Sequence, residues 1–88
     1  MYVTAIHDIS DPEKFWGRAA ETTEFPEGIV LHDVFPNADG TRAVCLWEGD
    51  SVEAVQSLVD GTLGDVSRNE FYEVNAKNAQ GLPTPATG

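Results

Sequence analysis

The sequence predicts an α+β fold whose secondary structure elements follow the order β-α-β-β-α-β. Two observations support this order. Four short segments are rich in β-branched and aromatic residues, and two longer segments between them carry apolar residues at helical spacing. A chain of 88 residues is long enough for one domain and too short for two.

The first strand and the first helix are marked by composition and by capping residues. Residues 2–9 (YVTAIHDI) contain Tyr, Val, Thr and Ile with no glycine or proline, which is typical of a strand. The helix is predicted over residues 10–25. Ser10 and Glu13 have the spacing of a capping box, and Asp11 precedes a proline that suits the first helical turn. The apolar face of this helix consists of Phe15, Trp16, Ala19 and Ala20.

A β-hairpin is predicted after the first helix. Residues 29–35 (IVLHDVF) and residues 42–48 (RAVCLWE) have the composition of strands. Residues 36–41 (PNADGT) form the turn between them, because Pro36 has no amide donor for a ladder and Gly40 tolerates a positive φ. The two strands therefore pair with each other.

The second helix and the fourth strand complete the domain. Residues 49–64 are predicted to form the helix, with Asp50 or Ser51 as its N-cap. Its apolar stripe consists of Val52, Val55, Leu58, Val59 and Leu63. Residues 69–75 (NEFYEVN) alternate in the manner of a strand.

The end of the chain has a different composition from the rest. Residues 1–80 are assigned to one domain, and residues 81–88 are predicted to form a flexible tail. This tail contains Pro83, Pro85 and no charged side chain, and only Leu82 offers sizeable apolar burial. Burial of one leucine does not offset the entropy of ordering eight residues. The tail is therefore expected to contribute nothing to a site.

The order of elements is that of the ferredoxin-like fold, an antiparallel sheet of strand order 4-1-3-2 with both helices on one face. The second and third strands are apolar on both faces. A helix-free face of this composition requires a cover. The sheet of a second copy is the predicted cover, which gives a homodimer in the form of a dimeric α+β barrel.

The charge of the chain excludes several classes of partner. Fifteen acidic residues against five basic ones give a net charge of −10. Nucleic acids and anionic membranes are bound through clustered Lys and Arg, which are absent here. The single cysteine, Cys45, cannot form an internal disulfide, so a cytoplasmic location is expected.

The two histidines of the chain each precede an aspartate inside an apolar run. A turn centred on residues 38–40 fixes the register of the hairpin. The predicted pairs are Val34 with Val44, His32 with Leu46, and Val30 with Glu48. In this register His32 and Glu48 share the open face of the sheet. His32 could act there as a metal ligand or as a base near neutral pH.

Asp8 is a further candidate for the same site. The segments AIHDISDPEKF and CLWEGDSVEAV both run from a strand through an acidic residue to a capped helix, so Asp8 corresponds to Glu48. With strands 1 and 3 taken as parallel neighbours, the two carboxylates lie side by side. His32, Asp8 and Glu48 would then form a mixed nitrogen and oxygen set that suits nickel or zinc, and no organic cofactor is implied. The ordinary alternative is two solvated carboxylates and a hydrogen-bonded histidine.

Two tyrosines, Tyr2 and Tyr72, could contact a ligand through their hydroxyl groups, although packing is the ordinary role of such rings. Cys45 is predicted to be a core residue with an unactivated thiol, because no helix begins beside it. The face of the sheet under the helices is predicted to carry Val3, Ala5, His7, Leu31, Phe35, Ala43, Cys45 and Trp47. Asp33 is assigned to the same side, away from the open face, or to a strand end that water reaches. The sequence contains no phosphate-binding glycine loop, zinc-binding spacing or nucleophile elbow.

From Tyr2 to Asn75 the chain resembles the small dimeric ferredoxin-like proteins of uncharacterised function, which include a nickel-binding protein of streptomycetes. The histidine of the second strand, His32, and the segment CLWE that closes the third strand carry this resemblance. It implies an α+β barrel formed by two subunits, with a metal ion or a small organic molecule as the ligand. Wider relatives of the fold include cofactor-independent monooxygenases and isomerases that act on small aromatic compounds.

Three functions remain open at the level of the sequence. The first is a small protein that binds a metal ion or a small organic molecule in the barrel of a homodimer. The second is a small enzyme without a cofactor, in which His32 carries a proton and an acidic residue orients it. The third is a structural or regulatory dimer without chemistry.

Overall fold

The computed structural model describes residues 1–83 of the chain and confirms the order β-α-β-β-α-β. The strands and helices are β1 (Tyr2–Ile9), α1 (Pro12–Glu21), β2 (Val30–Pro36), β3 (Arg42–Glu48), α2 (Val52–Leu63) and β4 (Ser67–Glu73). The third strand has the predicted bounds, and β4 begins and ends two residues earlier than predicted.

The four strands form one sheet of order β2-β3-β1-β4, which is the predicted order 4-1-3-2 counted from the other edge. All three neighbouring pairs are antiparallel. The prediction that strands 1 and 3 run parallel is therefore wrong. Helix α1 returns the chain so that β2 runs parallel to β1, and β3, the second arm of the hairpin, inserts between them in the opposite direction.

Both helices begin at residues whose side chains accept a backbone amide. Asp11 caps α1 by accepting from the amide of Lys14 at 3.1 Å, and Ser51 caps α2 by accepting from the amide of Ala54 at 3.0 Å. Ser10 does not form the predicted capping box, because its hydroxyl donates to the carbonyl of Val66 at 3.0 Å. That bond fixes the start of β4 beside the start of α1.

The hydrophobic core lies between the helices and one face of the sheet. Its most buried members are Val3, Ala5, Ile9, Phe15, Ala43, Cys45, Trp47, Val55, Val59, Leu63 and Val66. The opposite face, called here the open face, is not covered by either helix. Among residues 1–83, neither helix has the length and apolar character needed to cross a bilayer.

Candidate functional site

Strand β2 contains a bulge at His32. Val30 pairs with Glu48 as predicted, but the next pairs are Leu31 with Trp47 and then Asp33 with Leu46. His32 is the extra residue and has no partner in the ladder. Bulges of this kind bend a strand and redirect a side chain, and they are frequent beside functional sites.

The bulge brings the imidazole of His32 onto the carboxylate of Glu48. Nε2 of His32 donates to Oε1 of Glu48 at 2.8 Å. The side chain of His32 is 21% exposed and that of Glu48 is 44% exposed, so water reaches the pair from one side. The ring of Tyr2 lies 5.6 Å from the imidazole, centroid to centroid, because Tyr2 stands directly opposite Glu48 in the β1–β3 ladder.

This pairing determines what the imidazole can do. With Nε2–H donated to the carboxylate, a neutral His32 has its lone pair on Nδ1. Nδ1 makes no hydrogen bond with any residue from 1 to 83. It can therefore accept a hydrogen bond or a proton from a bound molecule, while Glu48 keeps the ring oriented.

Asp8 does not join this site. In the antiparallel β1–β3 ladder Asp8 lies opposite Arg42, six residues along β1 from Tyr2. At about 3.4 Å per residue this separation is roughly 20 Å. The predicted set of His32, Asp8 and Glu48 is thus not assembled, and within the described residues no three His, Cys, Asp or Glu side chains lie close enough to hold a metal ion. His32 and Glu48 alone could contribute donor atoms.

The bulge also exchanges the faces of the residues that follow it. Phe35, predicted to lie under the helices, pairs with Val44 on the open face and is 65% exposed. Asp33, predicted on the other face, lies on the open face opposite Leu46. Both errors have one cause: a single inserted residue reverses the alternation of the remainder of the strand.

A groove of about 430 Å³ runs along the open face, and neither His32 nor Glu48 is among its lining residues. The sheet contributes Thr4, Asp33, Phe35, Val44, Cys45, Leu46 and Tyr72, and the chain after β4 contributes Val74, Asn75, Asn78, Ala79, Gln80, Gly81 and Leu82. Thr4, which pairs with Tyr72, lies two residues along β1 from Tyr2. Because Tyr2 lies opposite Glu48, the groove begins about one side-chain repeat, roughly 7 Å, from the His32–Glu48 pair.

The chain after β4 folds back over the open face. Residues 74–83, called here the C-terminal segment, start with a bond from the amide of Val74 to the carbonyl of Tyr2 at 2.9 Å. A turn follows, in which the amides of Asn78 and Ala79 both donate to the carbonyl of Asn75. This segment explains why Thr4 is only 8% exposed although it lies on the helix-free face.

Part of the predicted tail contacts the site. The hydroxyl of Tyr2 donates to the carbonyl of Pro83 at 3.3 Å, and Gly81 and Leu82 line the groove. The expectation that residues 81–88 contribute nothing to a site is therefore wrong for residues 81–83. Residues 84–88 lie outside the described part of the chain.

The other histidine, His7, is a buried structural residue. It is 1% exposed, and its Nδ1–H donates to Oδ1 of Asn69 at 2.6 Å. The amide of Asn69 in turn donates to Asp60 at 2.9 Å. Burial lowers the pKa of His7, and the Asn69 hydrogen bond and the charge of Asp60 act in the opposite direction. His7 thus ties β1 to β4 and α2 on the helix side of the sheet.

Cys45 lies in the core, as predicted. It is 5% exposed, and burial raises the pKa of its thiol to about 11. A thiol in this environment is almost entirely protonated near neutral pH and is a poor nucleophile.

No protein-family model, curated protein or solved structure matches the chain. The resemblance to the small dimeric ferredoxin-like proteins therefore stays a prediction. The groove residues Asp33, Asn75, Asn78 and Gln80 were not predicted from the sequence. Asp33 was assigned to the wrong face, and no local pattern signals that residues 75–80 return over the sheet.

Proposed function

We propose that the protein binds a small uncharged or cationic organic molecule in the open-face groove, with the His32–Glu48 pair as the polar recognition group at its end. The observation that carries this proposal is the groove itself. Its volume of about 430 Å³ lies within the range of roughly 300–1,000 Å³ that small-molecule sites occupy. Its lining combines apolar side chains with a few polar ones, as such sites do.

The charges around the groove define the class of ligand. Asp33 lines it and Glu48 lies near its end, while no Lys or Arg is among its described lining residues. The chain as a whole carries a net charge of −10. An anionic ligand would therefore be repelled both on approach and in the bound state. A flat apolar molecule that extends from the groove as far as His32 and carries a hydrogen-bond donor suits this arrangement, since Nδ1 of His32 can accept from it.

A fluorescence titration with two related probes tests this proposal. N-phenyl-1-naphthylamine is uncharged and has one N–H donor, and 8-anilinonaphthalene-1-sulfonate is the same skeleton with a sulfonate. We expect the uncharged probe to bind with a saturable rise in emission and the anion to bind much more weakly. Equal affinity for the two probes would contradict the charge argument, and binding of neither would remove the groove as a site.

Two matched variants locate the bound probe. Ala79→Phe fills the groove from the C-terminal segment, whereas Ala20→Phe places the same side chain on an exposed position of α1. Binding of the uncharged probe should be lost in Ala79→Phe and retained in Ala20→Phe. Retention in both would place the probe elsewhere on the protein.

The second candidate function is an enzyme that uses His32 as a proton carrier. It is favoured by Nδ1, which has no hydrogen-bond partner among residues 1–83, and by the orientation that Glu48 imposes on the ring. A ligand that co-purifies with the protein should be identified by native mass spectrometry and then incubated with the protein in D₂O. Deuterium incorporated at carbon by the wild type, and not by His32→Gln, would establish proton transfer. A ligand recovered without deuterium leaves binding as the function.

Two copies of the chain are proposed to pair through the open face. Support comes from four side chains that are large and apolar and lie exposed there: Val30 (46%), Phe35 (65%), Val44 (43%) and Tyr72 (53%). Exposed apolar patches of this kind mark interaction surfaces. A two-fold axis would pack the patch of one subunit against the same patch of the other subunit. A homodimer of this form would close the groove on its outer side.

Light scattering tests the pairing. We expect a dimer mass for the wild type, a monomer mass for Phe35→Glu, and a dimer mass for Thr23→Glu, which adds the same charge to an exposed loop. A monomeric wild type would overturn the pairing without affecting the probe titration. A dimer that binds no probe would instead favour the structural or regulatory role.

A further inference from the structure

The C-terminal segment is bonded to the sheet at its two ends, and both bonds are made by Tyr2. The amide of Val74 donates to the backbone carbonyl of Tyr2 at 2.9 Å, and the hydroxyl of Tyr2 donates to the carbonyl of Pro83 at 3.3 Å. Among residues 1–83, no other hydrogen bond joins the segment to the rest of the protein. The amides of residues 77–79 donate instead to Asn75, within the segment.

The C-terminal segment buries little apolar surface between these two bonds. Its half-buried apolar side chains are those of Val74, Ala79, Leu82 and Pro83, and none of its residues is fully buried. A segment with few hydrogen bonds and few buried apolar contacts opens locally at a small fraction of the free energy of global unfolding. The bond to Pro83 is longer than the 2.5–3.0 Å that is usual between a hydroxyl and an oxygen acceptor, so this end is the weaker one.

The open-face groove lies between the C-terminal segment and the sheet. The segment covers the sheet closely enough that Thr4, on the helix-free face, is only 8% exposed. A molecule in the groove is therefore enclosed on that side by a piece of chain that is weakly attached. The ring of Tyr2 lies 5.6 Å from the imidazole of His32, centroid to centroid, so a ligand that reaches His32 lies beside the residue that holds the segment.

We propose that the C-terminal segment opens and closes over the groove, with its hinge at Val74 and its latch at Tyr2, and that a ligand enters when the bond from Tyr2 to Pro83 breaks. This inference rests on the proposed binding function of the groove. Loops that close over a bound ligand in this way exclude water and set the rates of entry and release. Tyr2 is thereby a positioning residue, since it holds one wall of the groove in place.

Two variants weaken the closed form by independent means. Tyr2→Phe removes the hydroxyl that bonds Pro83. Gly81→Ala strains the closed backbone, because Gly81 has a φ of +89°, and it removes no contact, since nothing lies within 4 Å of the added Cβ. Gly61→Ala is the matched control, because an added Cβ there also meets nothing within 4 Å and the residue lies within α2.

Limited proteolysis of the full chain with trypsin measures the opening. Lys77 lies exposed inside the C-terminal segment, and cleavage after it follows the fraction of open chains when reclosing is fast. Cleavage after Lys77 should accelerate about 2- to 10-fold in Tyr2→Phe and about 5- to 30-fold in Gly81→Ala, and stay as in the wild type in Gly61→Ala. Cleavage after Lys14, which lies in α1, reports global unfolding and should not change in any of them.

Stopped-flow fluorescence with N-phenyl-1-naphthylamine tests the link to binding. The association rate constant should rise in Tyr2→Phe and Gly81→Ala, and saturating probe should slow cleavage of the wild type after Lys77. The inference is overturned if all four proteins are cleaved after Lys77 at the same rate, or if neither variant changes the association rate. A probe that binds with unchanged cleavage in the variants overturns this inference alone. Accelerated cleavage in the two variants without any probe binding supports the opening and overturns the proposed function.

Discussion

His32 and Glu48 are joined by a 2.8 Å hydrogen bond even though no residue of β3 pairs with His32 in the ladder. The bond exists because Val30, two residues earlier, is in register with Glu48 and the bulge then turns His32 toward it. In a regular strand the side chain of His32 would lie opposite Leu46. Because of the bulge, the imidazole is instead oriented by its hydrogen bond to Glu48.

The first prediction concerns the role of Glu48. Glu48→Ala removes the acceptor that fixes the tautomer of His32, and the affinity for N-phenyl-1-naphthylamine should fall about 2- to 10-fold, the equivalent of one hydrogen bond. Glu48→Gln keeps an oxygen acceptor and should restore most of the affinity. Because the pair is partly exposed, neither change should alter the free energy of unfolding by more than about 1 kcal/mol. Equal losses in both variants would show that the charge, and not the orientation of the ring, matters.

The second prediction concerns pH and His7. Because burial lowers the pKa of His7 below its usual 6.5, the unfolded chain binds more protons than the folded protein below that pH. The contribution of neutral His7 to stability should therefore be fully present above pH 6.5 and be lost progressively as the pH falls toward the folded-state pKa. Urea unfolding at about pH 7.5 and about pH 5.5 measures this loss.

His7→Gln is the informative variant for this prediction, since Gln can still bond Asn69 but does not titrate. Its stability difference between the two pH values should be smaller than that of the wild type. His32→Gln, which changes the other histidine of the chain, should retain the part of the loss that arises from His7. An unchanged pH dependence in His7→Gln would contradict the assignment.

The third prediction tests the bulge through two phenylalanines. Phe15 is 2% exposed and packs edge-to-face against His7, whereas Phe35 is 65% exposed. At protein concentrations that keep the chain monomeric, Phe15→Ala should lower the free energy of unfolding by about 3–5 kcal/mol. Phe35→Ala should change it by no more than about 0.5 kcal/mol. A large loss for Phe35→Ala would mean that β2 continues without the bulge.

The fourth prediction concerns the C-terminal segment. A chain that ends at Gln80 lacks Leu82 and the carbonyl of Pro83, so the groove loses part of its wall and Tyr2 loses its acceptor. Affinity for the uncharged probe should fall, and Tyr2→Phe should reproduce only the part due to the hydrogen bond, within about 1 kcal/mol. A chain that ends at Thr84 is the control and should bind as the full chain does. Equal binding by the chains ending at Gln80 and Thr84 would show that residues 81–83 do not form part of the site.

The sequence by itself determined the order of the elements, the bounds of β3, the pairing of Val30 with Glu48 and the placement of His32 and Glu48 on one face. Each of these depends on local signals: alternation of apolar residues, capping residues, and a turn with Gly40. Pro36, predicted as the first turn residue, is instead the last residue of β2 and pairs with Ala43. Cys45 and most of the predicted helix-side residues were likewise recognisable as core, since strand alternation places them on one face.

Only the tertiary structure decided which side chains meet. Because β1 and β3 run in opposite directions, Asp8 lies at the far end of the sheet and Tyr2 lies opposite Glu48. This direction results from the combination of the α1 crossover with the hairpin and not from any local motif. The bulge at His32 has no signature in the sequence, because one extra residue leaves the composition of a strand unchanged while reversing the faces of Asp33 and Phe35. The return of residues 74–83 over the open face depends on contacts with β1 that lie more than seventy residues away along the chain, as in the bond from Tyr2 to Pro83.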